Sequence, residues 1–393
     1  MQNRLNMTFK LFCMCTLIFA SHAFADIINV KSTKELYQAI NNSNLNGGNT
    51  TLELDDGTFT LNSTLKIAAD NITITSKSKN RNKTIIKGAG SFPNSTTGNL
   101  IRVSGSFFSL SHITLENSGN HLIQIAGENN AEAPKITNCI LRDAREQLLK
   151  VSYNANNSNS SDHGIVSNCI FEYTKGIGPQ YYIGGIDAHA VKHWTIKNNI
   201  FINIASPSKY IAEHAIHLWS NSEDNIIENN TIINCDRGIG LGMGEKPSKG
   251  NKGGIIRNNF IHHTANNHPF ADTGITLENS SNTQVYNNTI FLENNYPNAI
   301  EYRFAGSTGI QILNNITNKA IKSRDGGTAT VTNNYATIEK NSFDLSTLGD
   351  LRLSEKSQSH SIPKGIFIKA LKTDIDGKPR PNPPTLGAAE PNR

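Results

Sequence analysis

A solenoid of short parallel strands is the fold class this sequence predicts, and three observations predict it. First, asparagine recurs, usually doubled and usually after an aliphatic or β-branched residue. It stands at Asn138, Asn168, Asn198-Asn199, Asn229-Asn230, Asn258-Asn259, Asn287-Asn288, Asn314-Asn315 and Asn333-Asn334. The steps between first members are 30, 30, 31, 29, 29, 27 and 19 residues, the period of a repeat array and not of a globular core. Second, each pair sits in one kind of segment, such as IKNNIFIN, IENNTIIN and VYNNTIFL. Alternating apolar residues, a polar turn and another alternating run read as two strands joined at a bend. Third, one such strand pair cannot bury its own apolar face, so successive turns must stack on each other.

The elements follow in chain order. Residues Met1 to Ala25 carry Arg4 and Lys10, then the apolar run LFCMCTLIFA, then Ala23-Phe24-Ala25. That is the pattern of a cleaved signal peptide, too short to span a bilayer. Export to a bacterial periplasm or the outside medium is expected. Cys13 and Cys15 lack the small residues of a lipoprotein signal before them, so no membrane anchor is expected. Residues 26–76 read as a cap with a first coil, in which Thr33 to Ile40 forms a short amphipathic helix. A cap is needed because a solenoid end exposes unpaired edges. Residues 77–335 form the repeat body, and 336–393, rich in Pro, Lys and Ser, form a tail that packs along the last coils.

Charge and cysteine usage narrow the partners. The formal charge is +5, and loss of Arg4 and Lys10 with the leader leaves +3. Nucleic-acid binders show dense basic patches, so no nucleic acid is expected, while an acidic glycan is compatible. Cys139, Cys169 and Cys235 each follow an Asn, which suggests a column of small buried thiols. A disulfide between coils stays open as an alternative.

The opening STKELYQAINNSNLNGGNTTLELDDGTFTL, the Asn-bearing coils and the ending Asp374-Ile375-Asp376-Gly377 with Arg380-Pro381 and Leu386-Gly387-Ala388 resemble bacterial right-handed parallel β-helix proteins of the pectin-lyase-like superfamily. The resemblance covers nearly the whole mature chain. It implies an all-β right-handed parallel β-helix with an N-terminal helical cap. It leaves the chemistry open, because that superfamily holds lyases, hydrolases, epimerases, esterases and adhesins.

A site can be sought by counting back from each Asn to the strand about a dozen residues upstream. These strands are Leu149 to Ser152, Ile186 to His189, Ile216 to Trp219, Ile239 to Gly242, Ile275 to Glu278 and Ile300 to Arg303. Their first and third residues are mostly aliphatic and point inward, so their second and fourth point outward. The outward set is Lys150, Ser152, Asp187, His189, His217, Trp219, Gly240, Gly242, Thr276, Glu278, Glu301 and Arg303. Two histidines, a tryptophan and several carboxylates beside two glycines are unlike an idle surface, where Lys, Glu, Thr and Ser dominate.

The chemistry expected there is that of an acidic, uronate-containing polysaccharide. His189, His217, Lys150 and Arg303 are the catalytic candidates: a histidine or Lys150 as base, Arg303 as neutraliser of the uronate carboxylate. Trp219, Asp187, Glu278, Glu301, Gly240 and Gly242 are the binding candidates. Trp219 offers a plane for a sugar ring, and the two glycines offer room for the ring to approach the backbone. Plainer readings stand beside these: His217 bonding a neighbouring loop, Trp219 covered by one, and Gly240 and Gly242 serving a bend in CDRGIGLGMGEKPSKGNKGG. Paired asparagines read as structural, since an amide bonds both backbone and the next amide. No protein metal ligands are assigned, because His262, His263 and His268 match no usual ligand spacing. Calcium remains a possible cofactor for carboxylate neutralisation. The Asp signature of polygalacturonase-like hydrolases and the Arg-x-Pro-x-x-Arg block of pectate lyases are both missing. β-Elimination is the leading expectation; hydrolysis, uronate epimerisation and non-catalytic glycan adhesion are the alternatives.

Overall fold

The computed structural model describes residues 26–391 apart from 266, 267, 269, 345, 346 and 359–361. The expected leader, Met1 to Ala25, lies outside the described residues. The body is three long parallel sheets of twelve, ten and ten strands, with a small three-stranded sheet at one corner. Each coil gives one strand to each long sheet. One coil runs from Ile123–Ala126 through Lys135–Thr137 and Ile140–Arg142 to Leu149–Ser152, which pairs in parallel with Ile123–Ala126.

The bend between the second and third strands explains the doubled asparagines. First members sit at positive φ, as at Asn198 (56°), Asn229 (56°) and Asn258 (54°), a left-handed conformation that asparagine tolerates better than most residues. Second members form a buried ladder. Asn230 N donates to Asn259 Oδ1 at 2.9 Å, Asn259 N to Asn288 Oδ1 at 3.1 Å and Asn288 N to Asn315 Oδ1 at 2.9 Å. Each side-chain nitrogen also donates to a carbonyl of the preceding coil, as Asn259 Nδ2 does to Ile227 O at 3.0 Å. The ladder satisfies backbone groups that a bend would otherwise orphan.

Cys139 and Cys169 occupy that same column, where Cys169 N donates to Asn199 Oδ1 at 2.9 Å. Cys235 does not, which corrects the expectation of a three-thiol column. It follows Asn234, one strand beyond the ladder bend, and bonds Ile233 O instead. All three thiols are free and buried.

At the N-terminal end the helix runs over Thr33–Leu45, one turn longer than the apolar pattern indicates. Ser32 caps it by accepting from Glu35 N, and Leu36, Ala39 and Ile40 face the core. Asn44 bonds Lys66 O and accepts from Ala68 N, tying the helix over the first coil. Strand Asp26–Val30 already pairs in parallel with Thr50–Leu54, so the twelve-stranded sheet begins at residue 26.

The tail forms a second apolar cluster outside one ten-stranded sheet. Ile338, Phe343, Leu351 and Leu386 pack on Phe260, Phe291 and Ile316. First-member asparagines also hold it: Asn258 Oδ1 accepts from Arg380 Nη2 at 2.7 Å and Asn314 Oδ1 from Ile366 N at 2.9 Å. The two members of a pair therefore have separate tasks, one inside the coil and one on the strap.

Candidate functional site

The other ten-stranded sheet carries the candidate residues, with Gly242 just past the end of strand Arg237–Leu241, and its register is the one counted from the asparagines. Lys150 pairs with Asp187, Asp187 with His217, His217 with Gly240, Gly240 with Thr276, and Thr276 with Glu301. Two residues along, His189 pairs with Trp219 and Glu278 with Arg303. Outward direction does not mean open to solvent, however. His217 is only 3% exposed and Glu301 only 2%, and Lys150, Asp187 and Thr276 are also buried. The segments entering each strand fold back over this second-position column. Those entering residues are what the alternation argument could not weigh.

The open part of the wall is the fourth-position column: His189, Trp219, Glu278 and Arg303, all half-buried. His189 and Trp219 are neighbours, with ring centroids 4.1 Å apart at 44°. Lys249, from the Gly-rich loop, sets its ammonium 5.7 Å above the Trp219 ring. Arg303 is separate. Three strands lie between its own and that of His189, which at the ordinary strand spacing puts it about 19 Å away. It pairs with Glu278 and Asp325, each at 2.8 Å. Arg303 therefore cannot neutralise the same carboxylate on which His189 would act, contrary to the pairing of roles read from sequence.

Lys150 is the hub where the two columns meet. Its ammonium pairs with Asp187 and lies 2.9 Å from His189 Nε2. Asp187 Oδ1 accepts from Trp219 Nε1 at 2.8 Å, which fixes the indole plane. His189 Nδ1 stands 3.3 Å from Ser220 Oγ. An ammonium has only donors, so Lys150 fixes Nε2 as the acceptor and Nδ1 as the protonated nitrogen. Burial, then the Lys150 charge, lowers the His189 pKa to about 4. His189 is thus a neutral imidazole at ordinary pH. Burial opposes ionisation of Asp187, but Lys150, His217 and His189 outweigh it and hold its pKa below the usual carboxylate range.

His217 has the opposite electrostatics. Burial works against its charge, yet Glu213 Oε2 at 3.2 Å and the Asp187 charge raise its pKa. Its Nε2 lies 3.1 Å from Gly242 O. Gly240 is not an open floor, because the His214 ring covers it: a Cβ there would meet ring atoms at 2.6 to 2.8 Å. Gly242 has φ of 77°, and a Cβ would meet Glu278 O at 1.8 Å, so its reason is backbone conformation. Glu301 accepts from Tyr296 Oη at 2.7 Å and Asn298 Nδ2 at 2.6 Å and pairs with Arg324 at 3.1 Å.

Sequence counting missed Glu213, His214, Arg237, Lys249 and Ser220. The spacing Glu213-x-x-x-His217 was visible, but Glu213 precedes its strand and His214 opens it, where alternation says nothing of contacts. Lys249 lies on the loop that the glycines marked as projecting.

Residues 184–357 match the family model described as "Right handed beta helix region". Among solved structures, an alginate lyase from Paenibacillus aligns at 13% identity and TM-score 0.48, over 79% of this chain and 99% of that one. A pectate lyase aligns at 13% identity and TM-score 0.49, over 93% of this chain and 96% of that one. The A-module of a mannuronan C-5 epimerase from Azotobacter vinelandii aligns at 13% identity and TM-score 0.38, over 73% of this chain and 77% of that one. No curated protein matches significantly. With three stacked parallel walls, and with residues 184–357 matching that model, the chain folds as a right-handed parallel β-helix.

Proposed function

We propose that this is a secreted carbohydrate-active enzyme that cleaves a uronate-containing polysaccharide by β-elimination on the open wall around His189. The observation that carries the reading is the contact of a neutral imidazole with a buried ammonium, Lys150 Nζ to His189 Nε2 at 2.9 Å, beside the Trp219 plane. Sugar stacks on Trp219, and the uronate carboxylate draws the Lys150 ammonium away from His189. Neutralising that carboxylate acidifies the proton on the neighbouring carbon. The freed Nε2 takes this proton, the C–H electron pair becomes the new double bond, and the glycosidic oxygen leaves on a proton drawn from water. Arg303, with Glu278 beside it, holds a sugar further along the chain. Secretion rests on the leader pattern of residues 1–25; no helix among the described residues is long and apolar enough to cross a membrane.

Incubation with alginate, polygalacturonate and glycosaminoglycans, with and without calcium, tests the reading through the ultraviolet absorbance of new unsaturated ends. Absorbance that disappears in His189→Ala is expected. Reducing ends without absorbance would replace the proposal with hydrolysis, and altered uronate composition without cleavage would replace it with epimerisation. Binding without any turnover would leave an adhesin.

A further inference from the structure

We propose that Glu213, His214 and His217 form a binding site for one first-row divalent transition-metal ion of the zinc and cobalt class. The site lies beneath the sugar wall and does not depend on the elimination reading. One ligand atom from each residue can be chosen so that all three lie within 4.8 Å of one another. The carboxylate oxygen Glu213 Oε2 is 3.2 Å from His217 Nδ1 and 3.9 Å from His214 Nδ1. A tetrahedral ion with bonds of roughly 2.0 to 2.1 Å sets its ligand atoms about 3.3 Å apart, so the second pair must close by about 0.6 Å and the two imidazole nitrogens, within 4.8 Å of each other, by at most about 1.5 Å.

Three independent features of the cluster point to a ligand. His214 is 4% exposed, and neither of its ring nitrogens has a hydrogen-bond partner among the described residues. A buried imidazole with both nitrogens orphaned is costly unless something else satisfies one of them. His217 places Nε2 against the Gly242 carbonyl at 3.1 Å. Donation from the far nitrogen to a backbone carbonyl is how metal-bound histidines are oriented, and here it turns Nδ1 toward Glu213. Gly240 supplies the third, since only a residue without a side chain lets the His214 ring lie over that strand toward His217, with ring centroids 4.6 Å apart.

The donor set selects the ion. Two imidazoles and one carboxylate suit zinc, cobalt or nickel, whereas calcium takes six to eight oxygens. Three protein ligands leave a fourth position for water. Arg237 opposes binding, because its Nη2 lies 3.4 Å from the same Glu213 oxygen and its charge repels a dication. Its presence sets the affinity below that of an undisturbed three-ligand site, and the repulsion gives the test a sign.

Tag-free full-length protein, stripped with a chelator, is titrated with cobalt(II) and zinc(II) and followed by visible absorption and calorimetry. One equivalent per chain is expected, with the tetrahedral cobalt spectrum displaced by zinc and untouched by excess calcium. Affinity should fall at least tenfold in His214→Gln and in Gly240→Ala, which keeps all three ligands but displaces a ring, and rise in Arg237→Gln. Circular dichroism checks that each variant keeps the β-helix. Absence of stoichiometric binding by the unmodified protein overturns the proposal without recourse to any variant and leaves a histidine–glutamate ion pair. Unchanged affinity in a folded His214→Gln protein overturns it equally. Because the readout is metal binding, its failure is separate from any failure to cleave a uronate polymer.

Discussion

Two columns of outward-facing residues run down one wall of this β-helix, two residues apart along each strand, and their surroundings differ completely. In the second-position column, Lys150, Asp187, His217, Thr276 and Glu301 are buried; Lys150 bonds Asp187, while His217, Thr276 and Glu301 are held by Glu213, Thr273 and Tyr296 from the segments entering their strands. In the fourth-position column, His189, Trp219, Glu278 and Arg303 keep one side open. The same alternation rule produced both. What separates them is coverage by the connecting segments, which deliver Glu213, His214, Thr273 and Tyr296 over one column only. Two histidines on neighbouring strands are then shifted in opposite directions: burial and the Lys150 charge lower the pKa of His189, whereas Glu213 and Asp187 raise that of His217 against its burial.

The largest expected effect comes from exchanging these two histidines' fates. His189→Ala should lower kcat by about 10² to 10⁴, the usual contribution of a positioned base, while leaving the unfolding midpoint nearly unchanged. His217→Ala should do the reverse. It empties a buried position and takes from half-buried Glu213 its nearer partner, leaving Arg237 at 3.4 Å, which costs about 1 to 3 kcal/mol of stability. Steady-state rates and denaturant midpoints on both variants decide this. Equal losses of kcat with equal midpoints would dissolve the distinction between the columns.

Acid should separate the columns next. His121, His189 and His263 each have pKa lowered to about 4, with burial the leading cause in every one. In the unfolded chain these groups titrate near 6.5, so between the two values the unfolded state binds more protons and stability rises with pH. Their contribution is therefore complete above about pH 6.5 and lost as pH falls toward 4, at up to about 3 kcal/mol each. His217, with its raised pKa, runs the other way: its contribution is present below 6.5 and disappears as pH rises through its folded value. Denaturant unfolding at pH 4.5 and 7 should show a much lower midpoint in acid. A midpoint that stays level would mean these imidazoles are not held neutral.

The sequence made the architecture and even the register readable, because one residue type marks one backbone conformation. Asn198, Asn229, Asn258, Asn287 and Asn314 all sit at positive φ, and counting from them placed Lys150, Asp187 and His217 in one row without error. Coverage was not readable. Whether a strand's outward residue meets water depends on loops of irregular length, and no period describes those. Arg303 shows a second limit: correct register placed it on the right wall but said nothing of the distance to His189 until strands were counted along the axis. Cys235 shows a third, since following an Asn is informative only when that Asn is the ladder bend.

The asparagine column supplies the middle-sized test. Asn259→Ala removes the acceptor for Asn230 N and Nδ2 and the donor to Ile227 O. Leaving buried backbone groups unpaired should cost about 2 to 3 kcal/mol. Asn334 lies at the last rung and donates to Ile312 O and Thr332 O from a partly open position, so Asn334→Ala should cost less than about 1 kcal/mol. Equal midpoint shifts in thermal unfolding would show that the ladder does not act rung by rung.

The smallest expected effect tests whether the open column is one continuous surface. Arg303 is separated from His189 by three strands, so under the elimination reading it touches a distal sugar and not the reacting one. Interactions made equally in the ground and transition states raise KM when removed and leave kcat alone. Arg303→Ala should therefore raise KM on a polymer by about 3- to 10-fold, the cost of one exposed charge contact at roughly 1 kcal/mol, with kcat within twofold. The rise should fade as salt is added, since half-exposed charges are screened. It should also vanish on the shortest oligosaccharides that still turn over, because these do not reach from Trp219 to Glu278. A fall in kcat on such short substrates would instead place Arg303 at the reacting sugar and bring the two ends of the column together in a way the strand count forbids.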